Sequence, residues 1–323
     1  MSSFTVVIME PGYVSYEIEK AVLTKIGATI CPLADYATQQ EKDELLARAD
    51  ILMVRETPIS AELINKSPYL KGIARYGVGY DNVDINYARS KHIPVSNVTD
   101  YGASESVAEF AVGLMLAASR GIVSRDKAVR QGGWNFWQHH PVHQLKGRTA
   151  GIVGLGLIGC GFAKKISGLG FARLLAFDPY AEQKTFATYH AESVDLNTLC
   201  AQSDVISLHA PLNASTRHMI NAQRLSLMQP TTILINTARG ALIDGQALYH
   251  ALYDKKIFAA ALDTHETEPF PADYPLLTLE NCIVTDHTAW YTVETCKNMQ
   301  YGAATEVLRM LQGEKPIHWV NPW

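Results

Sequence analysis

Three side chains in the second half of this sequence have the types needed to move a proton beside an anion. Arg239 stands in NTARGALID, Glu268 in ALDTHETEPF and His287 in VTDHTAW. An imidazole titrates near working pH, and a neighbouring carboxylate favours its protonated form. A guanidinium grips a carboxylate through two parallel hydrogen bonds, which lysine cannot do. Each also has an ordinary reading: a surface arginine, a solvated turn acid before proline, a structural loop histidine. Position joins them. Each follows a strand-like run (residues 232–236, 258–262 and 282–285), and sites on parallel sheets form at the carboxyl ends of strands.

A second constellation lies upstream. GIVGLGLIG (residues 151–159) contains Gly154-x-Gly156-x-x-Gly159, between a strand-like run at 150–153 and a helical stretch at 157–169. Gly154 permits a tight turn, Gly156 admits a pyrophosphate close to the backbone, and Gly159 lets helix and strand pack closely. The N–H groups opening the helix, at Leu157 and Ile158, attract phosphates. A strand then ends at Asp178, 19 residues beyond Gly159. An acid there hydrogen-bonds ribose hydroxyls and repels a 2′-phosphate, and residues 179–183 bring no Arg or Lys, so the cofactor read from this pattern is NAD. The competing reading of Asp178 is a loop acid that opens a turn with Pro179.

The elements that must position these groups alternate along the chain. Residues 4–9, 49–54, 72–76 and 93–97 read as buried strands, with helices at 41–49 and 60–66. Runs at 150–153, 174–177 and 204–209, with the three named above, repeat the style more strongly. Alternation of this kind implies βα units and parallel sheets. Ser106 to Glu109 fits a capping box, opening a long amphipathic helix from about Ser104 to Arg120. A last helix carries Val293, Cys296, Met299, Ala303, Val307 and Leu311 and stops at Gly313.

The 323 residues suit two domains, and 47% apolar with 19% charged residues is an ordinary globular composition. A net charge of −4 gives no reason to expect nucleic acid or an anionic membrane. The five cysteines are odd in number and lack a C-x-x-C, which favours a reducing compartment over disulfides or zinc. No signal-like start or membrane-length apolar run is visible, so a cytoplasmic location is expected.

Eight segments, in this order, resemble the D-isomer-specific 2-hydroxyacid dehydrogenases: RYGVGYDNVD, SESVAEFAVGLML, LKGRTAGIVGLGLIG, FDPY, SLHAPLN, INTARGALID, ALDTHETEPF and DHTAWYT. The resemblance implies an α/β protein of two Rossmann-like or flavodoxin-like domains with parallel sheets. Residues 1–101 and 291–323 would form the substrate domain, with an NAD domain (102–290) inserted and the active site in the interdomain cleft. It further implies a homodimer. Position by position, Arg239 matches the substrate-carboxylate arginine, His287 the acid/base histidine and Glu268 the glutamate that hydrogen-bonds it. The amides of Val78 and Gly79 match a loop that also grips the carboxylate, and Asp263 an acid contacting the nicotinamide carboxamide. Val107, Thr216 and Thr237 match residues along the cofactor, and His209, Ala210 and Pro211 a loop beneath the adenine. Glu268 argues against the formate branch, which carries Gln there. This chain has Asp286 where the family usually has Pro before the histidine. Near the ring it would favour the imidazolium; turned away, it is a solvated acid.

The resemblance extends to phosphoglycerate dehydrogenases and to glyoxylate/hydroxypyruvate reductases. Arg55, in MVRETPIS, occupies a place where the former carry an arginine near the phosphate, and Arg75 could add charge. The alternative is two ordinary loop arginines. Trp134, Trp137 and Trp290 could shape the pocket or simply pack. ALDTHETEPF and HTAWYT also resemble the C-terminal-binding proteins, so an NAD(H)-sensing corepressor-like binding protein is the alternative function. The expected function is NAD-dependent interconversion of a D-2-hydroxy acid and its 2-keto acid.

Overall fold

The computed structural model describes residues 4–10, 12–33, 37–99, 101–135 and 142–323. Trp137 lies outside them. The first sheet-forming stretch runs β1 (Phe4–Ile8), α1 (Glu17–Leu23), β2 (Ala28–Pro32), α2 (Gln39–Leu46), β3 (Ile51–Val54), α3 (Ala61–Asn65), β4 (Gly72–Arg75), α4 (Ile85–Ser90) and β5 (Val95–Ser96). Two helices follow, α5 (Ala103–Arg120) and α6 (Ile122–Arg130). Then come β6 (Thr149–Val153), α7 (Leu157–Ile166), β7 (Arg173–Phe177), α8 (Gln183–Thr188), β8 (Glu192–Ser193), α9 (Leu196–Gln202) and β9 (Val205–Leu208). The chain closes through α10 (Ala222–Leu227), β10 (Ile233–Asn236), α11 (Gly245–Tyr253), β11 (Ala259–Leu262), β12 (Cys282–Val284) and α12 (Val293–Leu311).

Two compact units result. A discontinuous unit holds Met1–Ala103 with Thr292–Trp323, and a central unit holds Ser104–Tyr291. The discontinuous unit carries a parallel sheet of order β2-β1-β3-β4-β5. Helix α12 returns to pack on α1 and β4. It begins at Thr292, which exchanges capping hydrogen bonds with Thr295, and Gly313 follows its end at φ 77°.

The central unit carries seven parallel strands, β12-β11-β10-β9-β6-β7-β8. Alternate residues of one strand enter different cores. Val153, Leu175, Ile206 and Leu234 join one cluster, while Ile152, Ala176, Val205 and Ile233 join the other. A period of two with both sides apolar is what a parallel sheet covered by helices on both faces requires.

Two expectations need correction. Helix α5 begins at Ala103, so Ser106 lies inside its first turn, 8% exposed, and is not an N-cap. The helix read at 157–169 is α7 followed by a 3₁₀ turn, Ser167–Leu169, which Gly170 ends at φ 76°. Among the described residues no single helix is long and apolar enough to cross a membrane.

Candidate active site

Strand order in the central unit reverses between β6 and β9, where open α/β sheets leave a crevice for ligands. A cleft of about 540 Å³ opens there, lined by Gly154, Gly156, Asp178, Ala210, Pro211 and Thr216 among others. The glycines have separate mechanical reasons. Gly154 turns at φ 94°, and a Cβ on it would lie 2.8 Å from the His209 carbonyl. A Cβ on Gly159 would fall 1.9 Å from the Gly154 oxygen, whereas one on Gly156 would meet nothing within 4 Å. The backbone is therefore closed where helix meets strand and open where an anion would approach Leu157 and Ile158 at the start of α7.

Asp178 belongs to both the glycine loop and its own turn. Its Oδ2 accepts the Leu155 N–H at 2.8 Å, and Oδ1 accepts the N–H groups of Tyr180 and Ala181 at 2.8 and 3.2 Å. One arginine in the cleft escaped the local reading of the sequence. Arg224 comes from α10, but it donates to Asn197 Oδ1 at 2.9 Å and to the Met219 carbonyl at 2.7 Å. His209, beside Ser207 Oγ at 2.9 Å, is pushed down to about pKa 3 by burial and is a neutral ring at ordinary pH.

Arg239, Glu268 and His287 follow β10, β11 and β12, three neighbouring strands in the same sheet. The buried Asn236 shapes the first loop: its Nδ2 donates to the Arg239 carbonyl at 2.9 Å and its Oδ1 accepts the Ala238 N–H at 3.0 Å. Gly240 is forced, since a Cβ there would sit 1.9 Å from the His265 carbonyl carbon. The Arg239 loop thus lies directly on the backbone leading to Glu268. Glu268 Oε1 accepts the His265 N–H at 2.7 Å, and Oε2 meets His287 Nδ1 at 2.6 Å. Burial pushes the Glu268 carboxyl up, but the hydrogen bond and charge of His287, with the His265 N–H, hold it below the usual range. The His265 ring donates from Nε2 to the Thr285 carbonyl at 2.9 Å, tying this loop to the end of β12.

His287 itself has φ 59°, a costly backbone state for a residue with a side chain. Asp263, fully buried, holds the loop in that shape. Its Oδ1 accepts from Thr285 Oγ1 at 2.5 Å and the Thr288 N–H at 3.0 Å, and Oδ2 accepts the Ala289 N–H at 2.8 Å. Trp290 donates its indole N–H to the His287 carbonyl at 3.0 Å. Asp286 is exposed and accepts the Thr288 hydroxyl at 2.9 Å. Glu266 takes a different histidine, His218, at 2.5 Å.

The residues present fit a dinucleotide. The open Gly156 cradle stands beside Asp178, and further along the strand ends the buried hydroxyls of Thr237 and Thr264 have no protein partner among the described residues. Val107, 7% exposed, is buried on α5. Among the described residues no group of three or more His, Cys, Asp or Glu side chains is placed to hold a metal ion.

In the discontinuous unit, the Val78 carbonyl accepts from Asn97 Nδ2 at 2.7 Å and the Gly77 carbonyl accepts the Val98 N–H at 3.1 Å, which fixes the loop carrying Val78 and Gly79. Arg75 is 8% exposed, pairs with Glu56 at 3.4 Å and packs where a Gly77 Cβ would fall 2.2 Å from its Nη1. Its placement is that of a brace under this loop. Arg55 follows β3. Trp134 is 89% exposed.

The crevice, the glycine loop and Asp178 define a dinucleotide-binding α/β protein. Residues 112–289 match the family described as D-isomer specific 2-hydroxyacid dehydrogenase, NAD binding domain. The chain belongs to the D-isomer-specific 2-hydroxyacid dehydrogenase family, and with it to the NAD-dependent oxidoreductases. It is similar to a D-3-phosphoglycerate dehydrogenase of Methanocaldococcus jannaschii, 41% identical over 292 residues, which are 89% of this chain but 55% of that longer protein. It is also similar to a glyoxylate reductase of Korarchaeum cryptofilum, 40% identical over 269 residues, 82% of this chain and 80% of that one. Among solved structures, D-lactate dehydrogenase from Aquifex aeolicus, complexed with NAD and lactic acid, superposes with a TM-score of 0.86. That match is 27% identical and covers 98% of this chain and 99% of the other.

Proposed function

We propose that this chain interconverts a D-2-hydroxy acid and the corresponding 2-keto acid, with His287 as acid and base. The observation that carries the reading is the 2.6 Å contact between His287 Nδ1 and Glu268 Oε2, built on strands next to the dinucleotide cleft. NAD supplies the hydride acceptor when bound, and in its reduced form the hydride donor. The glycine-loop amides would hold its pyrophosphate, Asp178 its ribose, and His209, Ala210, Pro211 and Thr216 the adenine end, with Thr237 and Val107 along its length.

The protein's own groups do the rest. With Nδ1–H donated to Glu268, Nε2 is the nitrogen that exchanges a proton with the substrate oxygen. During reduction His287 gives that proton to the forming alkoxide; during oxidation it removes the hydroxyl proton. Glu268 stabilises the imidazolium in both directions. Arg239 grips the substrate carboxylate, turning C2 toward the hydride path. The Val78 and Gly79 amides offer further donors for an anion. Asp263 enters no step; it keeps the His287 loop in shape.

A small, anionic 2-hydroxy or 2-keto acid is the substrate class, of the 3-phosphoglycerate or hydroxypyruvate/glyoxylate type. Arg55 favours one with a second anionic group. We further take the chain to work as a cytoplasmic homodimer. Its five cysteines are free, and Ile122, Val123 and Val129 lie exposed on α6.

The test follows NADH oxidation with glyoxylate, hydroxypyruvate, pyruvate, phenylpyruvate and 3-phosphohydroxypyruvate, with His287→Ala alongside. Turnover of one acid that falls about 10²–10⁴-fold in the variant is the expected result. Tight NADH binding with no turnover above the variant would overturn the catalytic reading in favour of an NAD(H)-sensing binding protein.

A further inference from the structure

Strand order in the discontinuous unit reverses between β1 and β3. Glu10 and Arg55 stand two and one residues beyond these strands, and their side chains would be expected to pair. They do not. Glu10 Oε1 accepts the Arg55 N–H at 2.6 Å, the Glu56 N–H, and the Thr57 N–H at 3.3 Å, while Oε2 accepts the Thr57 hydroxyl at 2.7 Å. Three consecutive backbone N–H groups wrapped round one oxygen form an anion nest, and here the anion is the protein's own.

Two consequences follow. The loop 55–57 is held from two sides: Glu10 takes its N–H groups, and Asn82 Nδ2 donates to the Arg55 carbonyl at 3.3 Å and to the Thr57 carbonyl at 3.0 Å. The Glu10 oxygens are taken up by the loop's own donors, so Glu10 holds the Arg55 backbone without forming an ion pair with its side chain. Among the described residues the Arg55 guanidinium has neither a hydrogen bond nor an ion pair. It lies against Gly12, where a Cβ would stand 3.0 Å from Nη1 and 3.3 Å from Cζ, so the absent side chain makes room for it. Tyr13, close enough to feel the Arg55 charge, has a buried hydroxyl with no protein partner among the described residues. Tyr13 and Arg55 thus both lie on loops that leave the strand ends of this sheet, Arg55 being a full cation.

We infer that Glu10 is the positioning residue of Arg55. By holding the loop, it presents a guanidinium that makes no ion pair among the described residues to the anionic group at the far end of the substrate, a phosphate or a second carboxylate. This rests on the reading of Arg55 given above and adds to it the residue that makes that reading work. The sign of the effect distinguishes positioning from simple charge. Glu10→Gln removes a negative charge near the anion, so a purely electrostatic role would tighten binding. Loss of the clasp would loosen it.

The experiment measures kcat/KM for 3-phosphohydroxypyruvate and hydroxypyruvate, which differ only in the phosphate, in the full chain and in Glu10→Gln, Arg55→Met and the double variant. We expect the ratio of the two constants to favour the phosphorylated acid in the parent and to fall about tenfold in each single variant, through KM and not kcat. The double variant should fall no further than Arg55→Met, because Glu10 acts only through Arg55. If Arg55→Met lowers the ratio and Glu10→Gln leaves it unchanged or raises it, the clasp is overturned and the Arg55 reading stands. If Arg55→Met leaves the ratio unchanged, that reading is overturned and the clasp proposal with it. Equal losses for both acids in Glu10→Gln, with a lower melting temperature, would make Glu10 a merely structural residue and also overturn the proposal.

Discussion

Asp263 Oδ2 accepts the Ala289 backbone N–H at 2.8 Å, two residues beyond His287, while Oδ1 takes the N–H of Thr288 at 3.0 Å. A buried carboxylate thereby holds the chain on the far side of a histidine in the left-handed region. Asp263→Asn turns one acceptor into a donor facing an N–H, which costs about 1–3 kcal/mol at a buried site. We expect kcat at saturating NADH to fall about tenfold or more, with a lower melting temperature. A rise in KM for NADH with kcat intact would show instead that Asp263 acts mainly on the cofactor.

Glu268→Gln keeps the shape of its contact with His287 and removes the charge. The carboxylate favours the imidazolium, which reduction requires, so the alkaline limb of the reductive rate should move to lower pH. Oxidation, which needs the neutral ring, should lose less at high pH. The pH profiles of kcat in the two directions check this. An unmoved alkaline limb would mean that Glu268 orients the ring without tuning it.

How far the sequence could show this site depends on whether a feature is local. The glycine loop was legible because its reasons are backbone mechanics within a few residues, and the contacts a Cβ would make at Gly154 and Gly159 bear those reasons out. The strands at 150–153 and 232–236 were legible because a run buried on both faces has an uninterrupted apolar stretch, as in Ile233–Ile235. Strand β2, helices α1 and α4 and the two-residue strand β8 gave no such run. Ser106 misled because a capping-box pattern looks the same one turn inside a helix. Gly240, Asn236 and Glu10 were invisible for a different reason. Each acts through a partner fixed only by the fold, such as the His265 carbonyl against which Gly240 lies. Arg75 was read as a possible ligand contact because a strand-end arginine carries no mark of which way it turns.

Gly240→Ala tests the packing of the Arg239 loop. Its Cβ would lie 2.2 Å from the His265 oxygen, so either that loop or the one leading to Glu268 must shift. Overpacking of this kind costs about 1–3 kcal/mol. We expect both a lower melting temperature and a several-fold higher KM for the acid, since Arg239 is displaced from its grip on the carboxylate. Wild-type values for both would show that the contact relaxes without moving Arg239.

Glu19 gives a pH dependence that belongs to the fold and not to the reaction. Its carboxyl is fully buried beneath α12, accepting from Tyr76 Oη at 2.9 Å and from Gln300 Nε2 at 3.1 Å. Burial pushes its pKa up, against the smaller opposing pull of these hydrogen bonds and one from its own backbone. An acid whose folded pKa lies above its unfolded value stabilises the fold fully below the ordinary glutamate range, and that contribution is lost as pH rises through the folded value. Glu19→Gln carries no proton to lose. The melting temperature of the parent relative to this variant should therefore be highest in acid and decline as pH is raised. A difference that grows with pH would mean that the ionised carboxylate is the favoured form, stabilised by Tyr76 and Gln300 beyond the cost of its burial.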